Sequence, residues 1–172
     1  MSSKLKNLQS DFQKTLQHAE TFKIALVTAR WHDEITGHLT DGAFQKLTEH
    51  GILADNILKV EVPGAFELPQ ATKMVLTHKN VHAVICLGCV IKGETNHDEY
   101  INHAVAQGLT KLSISSGKPV IMGVLTTLNY EQAKERTMGS LGNKGEECAV
   151  AAINMLILQQ ALGKQDQIIG FK

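Results

Sequence analysis

Apolar and polar positions alternate along this chain in blocks, with two different periods. KIALVTAR (23–30) is a continuous apolar run, which predicts a strand buried on both faces. From Asp33 to Gly51 the period becomes helical, with Ile35, Leu39, Ala43, Phe44 and Leu47 on one face, and His50-Gly51 closes the helix. NILKVEVP (56–63) predicts a second strand, and PGAFELPQATKMVLTHK (63–79) a loop entering a helix, with Pro69 in its first turn. VHAVICLGCVI (81–91) predicts strand three, followed by a helix from about Thr95 to Ser115. PVIMGVLTT (119–127) predicts strand four, and NYEQAKERTMGS (129–140) a short helix ending in glycine. GNKG (142–145) is a tight basic connector, and EECAVAAINMLILQQAL (146–162) a long amphipathic last helix.

Strands alternating with helices of this length predict a parallel sheet covered on both faces. Residues 22–172 read as a single domain with no internal repeat and no low-complexity stretch. Residues 1–21 do not follow the alternation. They read as an arm, either a frayed helix or a segment that packs on a neighbouring subunit.

Composition narrows the class. The 172 residues suffice for one full-sized core. Formal net charge is zero, so the balance shows no footprint for nucleic acid or an anionic membrane. No apolar stretch reaches the ~18 residues of a membrane span, and the polar N-terminus does not read as a signal peptide. The three cysteines, Cys86, Cys89 and Cys148, are an odd number, which points to a reducing compartment with the cytoplasm as default. Cys86 and Cys89 form a C-x-x-C within a strand. Residues i and i+3 of a strand face opposite ways, so the pair reads as core thiols and not as a metal or redox site.

Ligands of open parallel sheets sit beyond the carboxyl ends of the strands, so the segments that follow the strands hold the candidate chemistry. After strand three comes GCVIKGETNHDEY (88–100), a glycine turn opening a helix at Glu94, Thr95, Asn96 and His97. Such a start offers backbone N–H groups to an anion. His97 beside it suggests proton transfer on a phosphorylated or carboxylated small molecule. The other histidines, His32 among them, have no comparable setting. Trp31, the single tryptophan, is either a stacking face for a planar heterocycle or a half-buried loop anchor. Gly64-Ala65 lets backbone approach a ligand, or is simply a turn. Glu67 binds ligand hydroxyls, or is a solvated first-turn acid. Arg136 and Lys144 are the cations best placed to neutralise a phosphate, with surface charge as the plain alternative. No phosphate-binding P-loop, dinucleotide-binding glycine motif or metal-ligand spacing occurs.

Taken together, ARWHDEIT (29–36), VPGAFELP (62–69), LGCVIKGETNHDEY (87–100), PVIMGVLTT (119–127), EQAKER (131–136) and GNKGEECAVAA (142–152) resemble the lumazine synthase family. The resemblance spans roughly residues 22–160, in order and at the right spacings. It implies a flavodoxin-like three-layer α/β/α sandwich around a four-stranded parallel sheet. It implies pentamers, which in some members build a sixty-subunit shell, with the site between neighbouring subunits. The implied reaction condenses 5-amino-6-(D-ribitylamino)uracil with 3,4-dihydroxy-2-butanone 4-phosphate, without metal or organic cofactor. It is the penultimate step of riboflavin biosynthesis.

By position, the resemblance assigns the pyrimidine to Trp31, Ala65, Phe66, Glu67, Cys89, Val90, Ile91 and Met122. It assigns the butanone phosphate to Glu94, Thr95, Arg136 and Lys144, and proton transfer to His97. Trp31 is usually phenylalanine in the family. Met122 stands where many members have a phenylalanine contributed by the neighbouring subunit. Thr137-Met138-Gly139-Ser140 replaces the commoner Ala-Gly-Thr-Lys. Two other classes compete with the enzyme: a module that binds a flavin or lumazine without making it, and a purely structural shell protein. His97, Thr95 and Arg136 together favour the enzyme.

Overall fold

The computed structural model describes residues 15–166. Four parallel strands, β1 (Ile24–Ala29), β2 (Ile57–Val62), β3 (Ala83–Ile91) and β4 (Val120–Thr127), form one sheet in the order β2-β1-β3-β4. Five helices accompany them: α1 (Asp33–Glu49), α2 (Leu68–His78), α3 (His97–Ser116), α4 (Tyr130–Lys134) and α5 (Lys144–Asp166). The arrangement is the predicted three-layer α/β/α sandwich of flavodoxin-like type.

Side-chain alternation divides the core into two layers. Ile24 and Leu26 of β1, with Ile85, Leu87 and Cys89 of β3, pack against Ile35, Leu39 and Leu47 of α1 and Ala149, Ile153 and Leu156 of α5. Ala25, Val27, Val84 and Cys86 point the other way, onto Leu68 and Val75 of α2 and Val105 and Leu109 of α3. All six residues of β1 are buried, as its unbroken apolar run predicts, whereas the edge strand β2 is buried only at its two ends. Phe44, expected in the core, is half-buried at its rim, where the Lys59 ammonium lies 4.2 Å from its ring centre.

The C-x-x-C divides as expected, Cys86 into one layer and Cys89 into the other. All three thiols are free and buried. Burial pushes Cys86 and Cys148 up to about 12 and Cys89 to about 11. The Cys86 Sγ also shares a 3.0 Å hydrogen bond with the Thr72 hydroxyl. Thiolate is the reactive form, so a neutral disulfide reagent at mildly alkaline pH should label none of the three cysteines of the native chain over minutes. All should react in denaturant, and absorbance of the released thiol counts them. A native cysteine that reacts at once would contradict the packing.

Several element boundaries differ from expectation. The segment after β2 first makes a short 3-10 turn, Ala65–Glu67, and α2 begins at Leu68, with Pro69 supplying a first-turn position that needs no N–H donor. α3 begins at His97 and not at Thr95, because Gly93, Thr95 and Asn96 favour turn conformations. The short helix after β4 ends at Lys134, and Arg136 and Thr137 continue it as tight turns through N–H donation to Ala133 and Lys134. α5 already includes Lys144 and Gly145, which the sequence reading places in the connector.

Of the expected arm, residues 1–14 lie outside the described residues. Its described end packs on the domain itself: Leu16 and Ala19 join the α1/α5 core layer, and Gln160 Nε2 donates to the Gln17 carbonyl at 2.8 Å. Residues 167–172 also lie outside the described residues. Among the described residues, no helix is long and apolar enough to cross a membrane.

Candidate functional site

A cavity of about 470 Å³ opens at the carboxyl ends of the strands, where such sheets place their ligands. Four segments wall it: the β1–α1 turn, the turn after β2, the end of β3, and the start of α3.

The β1–α1 turn carries Trp31 and His32. Its backbone is stitched to the neighbouring segment, with Arg30 N–H donating to the Val62 carbonyl at 2.8 Å and Trp31 N–H to the Pro63 carbonyl at 3.2 Å. His32 then takes a left-handed backbone conformation, φ 62°, which redirects the chain into α1 and costs a non-glycine residue roughly 1–2 kcal/mol. The His32 carbonyl accepts the Thr36 N–H at 3.0 Å, closing the first turn of α1. The His32 ring stands edge-on to Trp31, with ring centres 6.3 Å apart. Tyr130, the first residue of α4, lies 6.5 Å from His32 on the ring's other contact, and its hydroxyl donates to Glu34 Oε2. That hydrogen bond pushes the Tyr130 phenol up to about 12.

In the turn after β2, Glu67 Oε2 accepts the Gly64 N–H at 3.0 Å, so the carboxylate fixes the loop that presents Ala65 and Phe66. The acid is therefore neither purely solvated nor free of local work. Cys89, Val90 and Ile91 reach the cavity from β3, Thr95 from the turn after it, and His97 and Asp98 from the first turn of α3.

Nine of the expected site residues thus share one cavity: Trp31, Ala65, Phe66, Glu67, Cys89, Val90, Ile91, Thr95 and His97. Glu94, Met122, Arg136 and Lys144 do not line it. Met122 is half-exposed on the edge strand β4. The Arg136 guanidinium donates from Nη1 to the Gln132 carbonyl at 2.7 Å, and Lys144 Nζ is 2.7 Å from both Glu147 carboxylate oxygens. Among the described residues, the wall holds two carboxylates, Glu67 and Asp98, and no lysine or arginine. Any anion held at the start of α3 by this chain alone meets N–H groups and the helix dipole rather than a cationic side chain.

Gly64, whose backbone was expected to approach a ligand, does line the cavity, whereas His32, Gly93, Asp98 and Ile101 line it without having been expected to. Adjacency to Trp31 and His97 was the available signal for His32 and Asp98. Trp31 and Phe66 are 69% and 59% exposed, so the cavity's aromatic wall is open on one side. Among the described residues, no group of three or more His, Cys, Asp or Glu side chains is placed to hold a metal ion.

Comparison with known proteins places the chain in a family. The family model described as 6,7-dimethyl-8-ribityllumazine synthase matches residues 21–160. A 6,7-dimethyl-8-ribityllumazine synthase of Cytophaga hutchinsonii is 46% identical over 156 residues, covering 91% of this chain and 98% of that protein. Its counterpart in Bacteroides fragilis is 43% identical over 142 residues, covering 83% and 99%. That of Phocaeicola vulgatus is 38% identical over 164 residues, covering 95% and 98%. With a family match across most of its length, and relatives of this identity matched nearly end to end, the chain belongs to the 6,7-dimethyl-8-ribityllumazine synthase family, transferases of riboflavin biosynthesis.

Proposed function

We propose that the cavity condenses 5-amino-6-(D-ribitylamino)uracil with 3,4-dihydroxy-2-butanone 4-phosphate to give 6,7-dimethyl-8-ribityllumazine, phosphate and water. The observation that carries the reading is the convergence of Trp31, the Ala65–Glu67 turn, Thr95 and His97 on one cavity. In this reading the pyrimidine stacks on the indole of Trp31, and the uracil edge meets the backbone of Cys89, Val90 and Ile91. The ribityl hydroxyls lie along Ala65, Phe66 and Glu67. The ketone phosphate sits at Glu94 and Thr95, its charge held by N–H groups with the Glu94 carboxylate turned outward.

The chemistry needs a proton shuttle and an anion site, and no step calls for a metal or organic cofactor. The substrate's amine attacks the ketone carbonyl, forming a C–N bond, and water leaves to give the imine. Elimination then breaks the C–O bond to phosphate, which departs with the electron pair. Ring closure by the second amine expels another water. His97 takes and returns protons in these steps.

Arg136, Lys144 and Met122 act on the cavity of a neighbouring copy, consistent with their absence from the wall of the cavity in their own chain. The functional unit is then a homo-oligomer, a pentamer or a sixty-subunit shell built from pentamers, working in the cytoplasm. The test is a two-substrate assay for the fluorescent product, with native mass measured on the same sample. A chain that binds riboflavin tightly and makes no lumazine would sink the reading, as would an active monomer for the oligomeric part.

Trp31→Ala gives a sharper check on the pyrimidine pose. Stacking of a base on an aromatic side chain contributes about 1–3 kcal/mol. The substitution should therefore raise KM for the ribitylaminouracil about tenfold or more, with KM for the ketone phosphate little changed. Equal effects on both substrates would place the pyrimidine elsewhere.

A further inference from the structure

Stacking of the pyrimidine in the proposed reaction requires Trp31 to hold its ring in one plane, yet the residue is 69% exposed. Its backbone is tied down by the N–H bond to Pro63, but that bond leaves the side chain free to turn. The aromatic contact it makes within the chain is the edge of His32. His32 is itself at a left-handed turn, and its side chain makes no capping hydrogen bond to α1, so the helix fixes its backbone and leaves its ring to be held by other contacts.

What stands behind His32 is Tyr130, and Tyr130 is anchored at both ends. Its backbone opens α4, where the Asn129 side chain caps the helix by accepting the Gln132 N–H at 2.9 Å. Its hydroxyl donates to Glu34 in the first turn of α1, the helix that His32 begins. The contacts thus form a closed circuit: His32 to Tyr130, Tyr130 to Glu34, and Glu34 through the first turn of α1 back to His32. A circuit of this kind holds a ring more narrowly than any one of its contacts, because each member limits the others' rotamers.

We propose that Tyr130, held by Glu34, is a positioning residue for the substrate-stacking tryptophan: through the His32 ring it fixes the plane of Trp31 and so sets affinity for the planar heterocyclic substrate. The proposal deepens the functional reading and rests on it for the identity of what Trp31 holds. The bracket lies outside the cavity wall, since neither Tyr130 nor Glu34 lines it. Its effect therefore belongs to binding of the ring and not to proton transfer.

The test uses the full-length protein and three single substitutions. Tyr130→Phe removes only the hydroxyl. Glu34→Ala removes the acceptor, and Glu34→Gln keeps an oxygen in its place. Since the chain has one tryptophan, time-resolved fluorescence anisotropy reports the motion of Trp31 alone, with no substrate present. Tyr130→Phe and Glu34→Ala should each loosen the indole, and Glu34→Gln should restore wild-type anisotropy. In the two-substrate assay the first two should raise KM for the ribitylaminouracil about three- to tenfold, the range of one ordinary solvent-exposed hydrogen bond. In both, kcat should stay within about twofold and KM for the ketone phosphate should stay unchanged. Unaltered anisotropy and KM in both loosened variants would overturn the proposal. So would a fall in kcat with KM intact, or a Glu34→Gln protein as impaired as Glu34→Ala. A wild-type protein that makes no lumazine would instead remove the functional reading, and the anisotropy series would still decide whether the bracket holds Trp31.

Discussion

His97→Ala is expected to lower kcat for lumazine formation by about 10²–10⁴, the usual contribution of a positioned general acid–base group. Three features of the site argue for an effect on kcat. His97 is the first residue of α3, so its imidazole projects from a rigid 20-residue helix into the cavity. Its backbone lies beside the N–H groups proposed to hold the phosphate, which puts the ring near the carbon that loses it. Asp98 also lines the cavity, but adjacent helical residues point apart, so it cannot stand in for the missing imidazole. The contacts that bind both substrates lie on other residues, so KM for each should move by only a few-fold. Progress curves followed by lumazine fluorescence give both constants. Turnover within about threefold of wild type would remove His97 from the mechanism and leave family membership untouched.

Gly145→Ala is expected to cost about 3 kcal/mol of stability or more, at the upper end of what overpacking does. Gly145 is buried in the first turn of α5, and a methyl there would run into the backbone carbonyl of Leu39 on α1. A backbone neighbour cannot rotate away as a side-chain tip can. The joint is stapled as well as close. Asn143 Oδ1 accepts the Gly145 N–H at 2.7 Å, and its Nδ2 donates to the His38 carbonyl at 2.8 Å. Moving α5 outward to admit the methyl would therefore break bonds on both helices and open the layer of Leu39, Ala149 and Ile153. Chemical denaturation at fixed protein concentration should show a lower midpoint with little change in slope. A wild-type midpoint would mean that the two helices do not approach as closely as described. Because Lys144 precedes Gly145, the same displacement would shift the ammonium that the family pattern assigns to the phosphate.

The layers of this fold are legible in the chain because burial dictates composition. A strand covered on both faces must be apolar throughout, and KIALVTAR and VHAVICLGCVI are the two central strands. The alternation rule also divided Cys86 from Cys89 correctly. Helix starts were less legible, since Thr95 and Asn96 suit a turn as well as a first helical position. The left-handed His32 had no local sign, as neither glycine nor asparagine marks it. The stitched backbone before it and the helix after it impose that conformation. As for the site, the motifs identified nine residues that do meet. They did not show that Arg136 and Lys144 lie elsewhere, because spacing along a chain carries no information about layers. Ala133 of α4 and Ala149 of α5 belong to the α1 side of the sheet, whereas α3 packs on the opposite side.

The strand order β2-β1-β3-β4 has a consequence for how the protein is made. β1 is central, with Ile24 paired to Ile57 on one side and to Ala83 on the other. The first pairing is available once β2 has left the ribosome, but the second must wait until α2 and β3 have followed it. During that interval one edge of β1 is an unpaired strand whose six residues are all destined for the interior. Such an edge is a template for pairing with another nascent chain, and parallel contacts this distant in sequence form slowly. The cavity floor, Cys89 to Ile91, is the last part of β3 to emerge. Slower translation across β3 therefore prolongs the exposure of that edge, and a truncated product ending before Ile91 carries both an open sheet and an incomplete cavity.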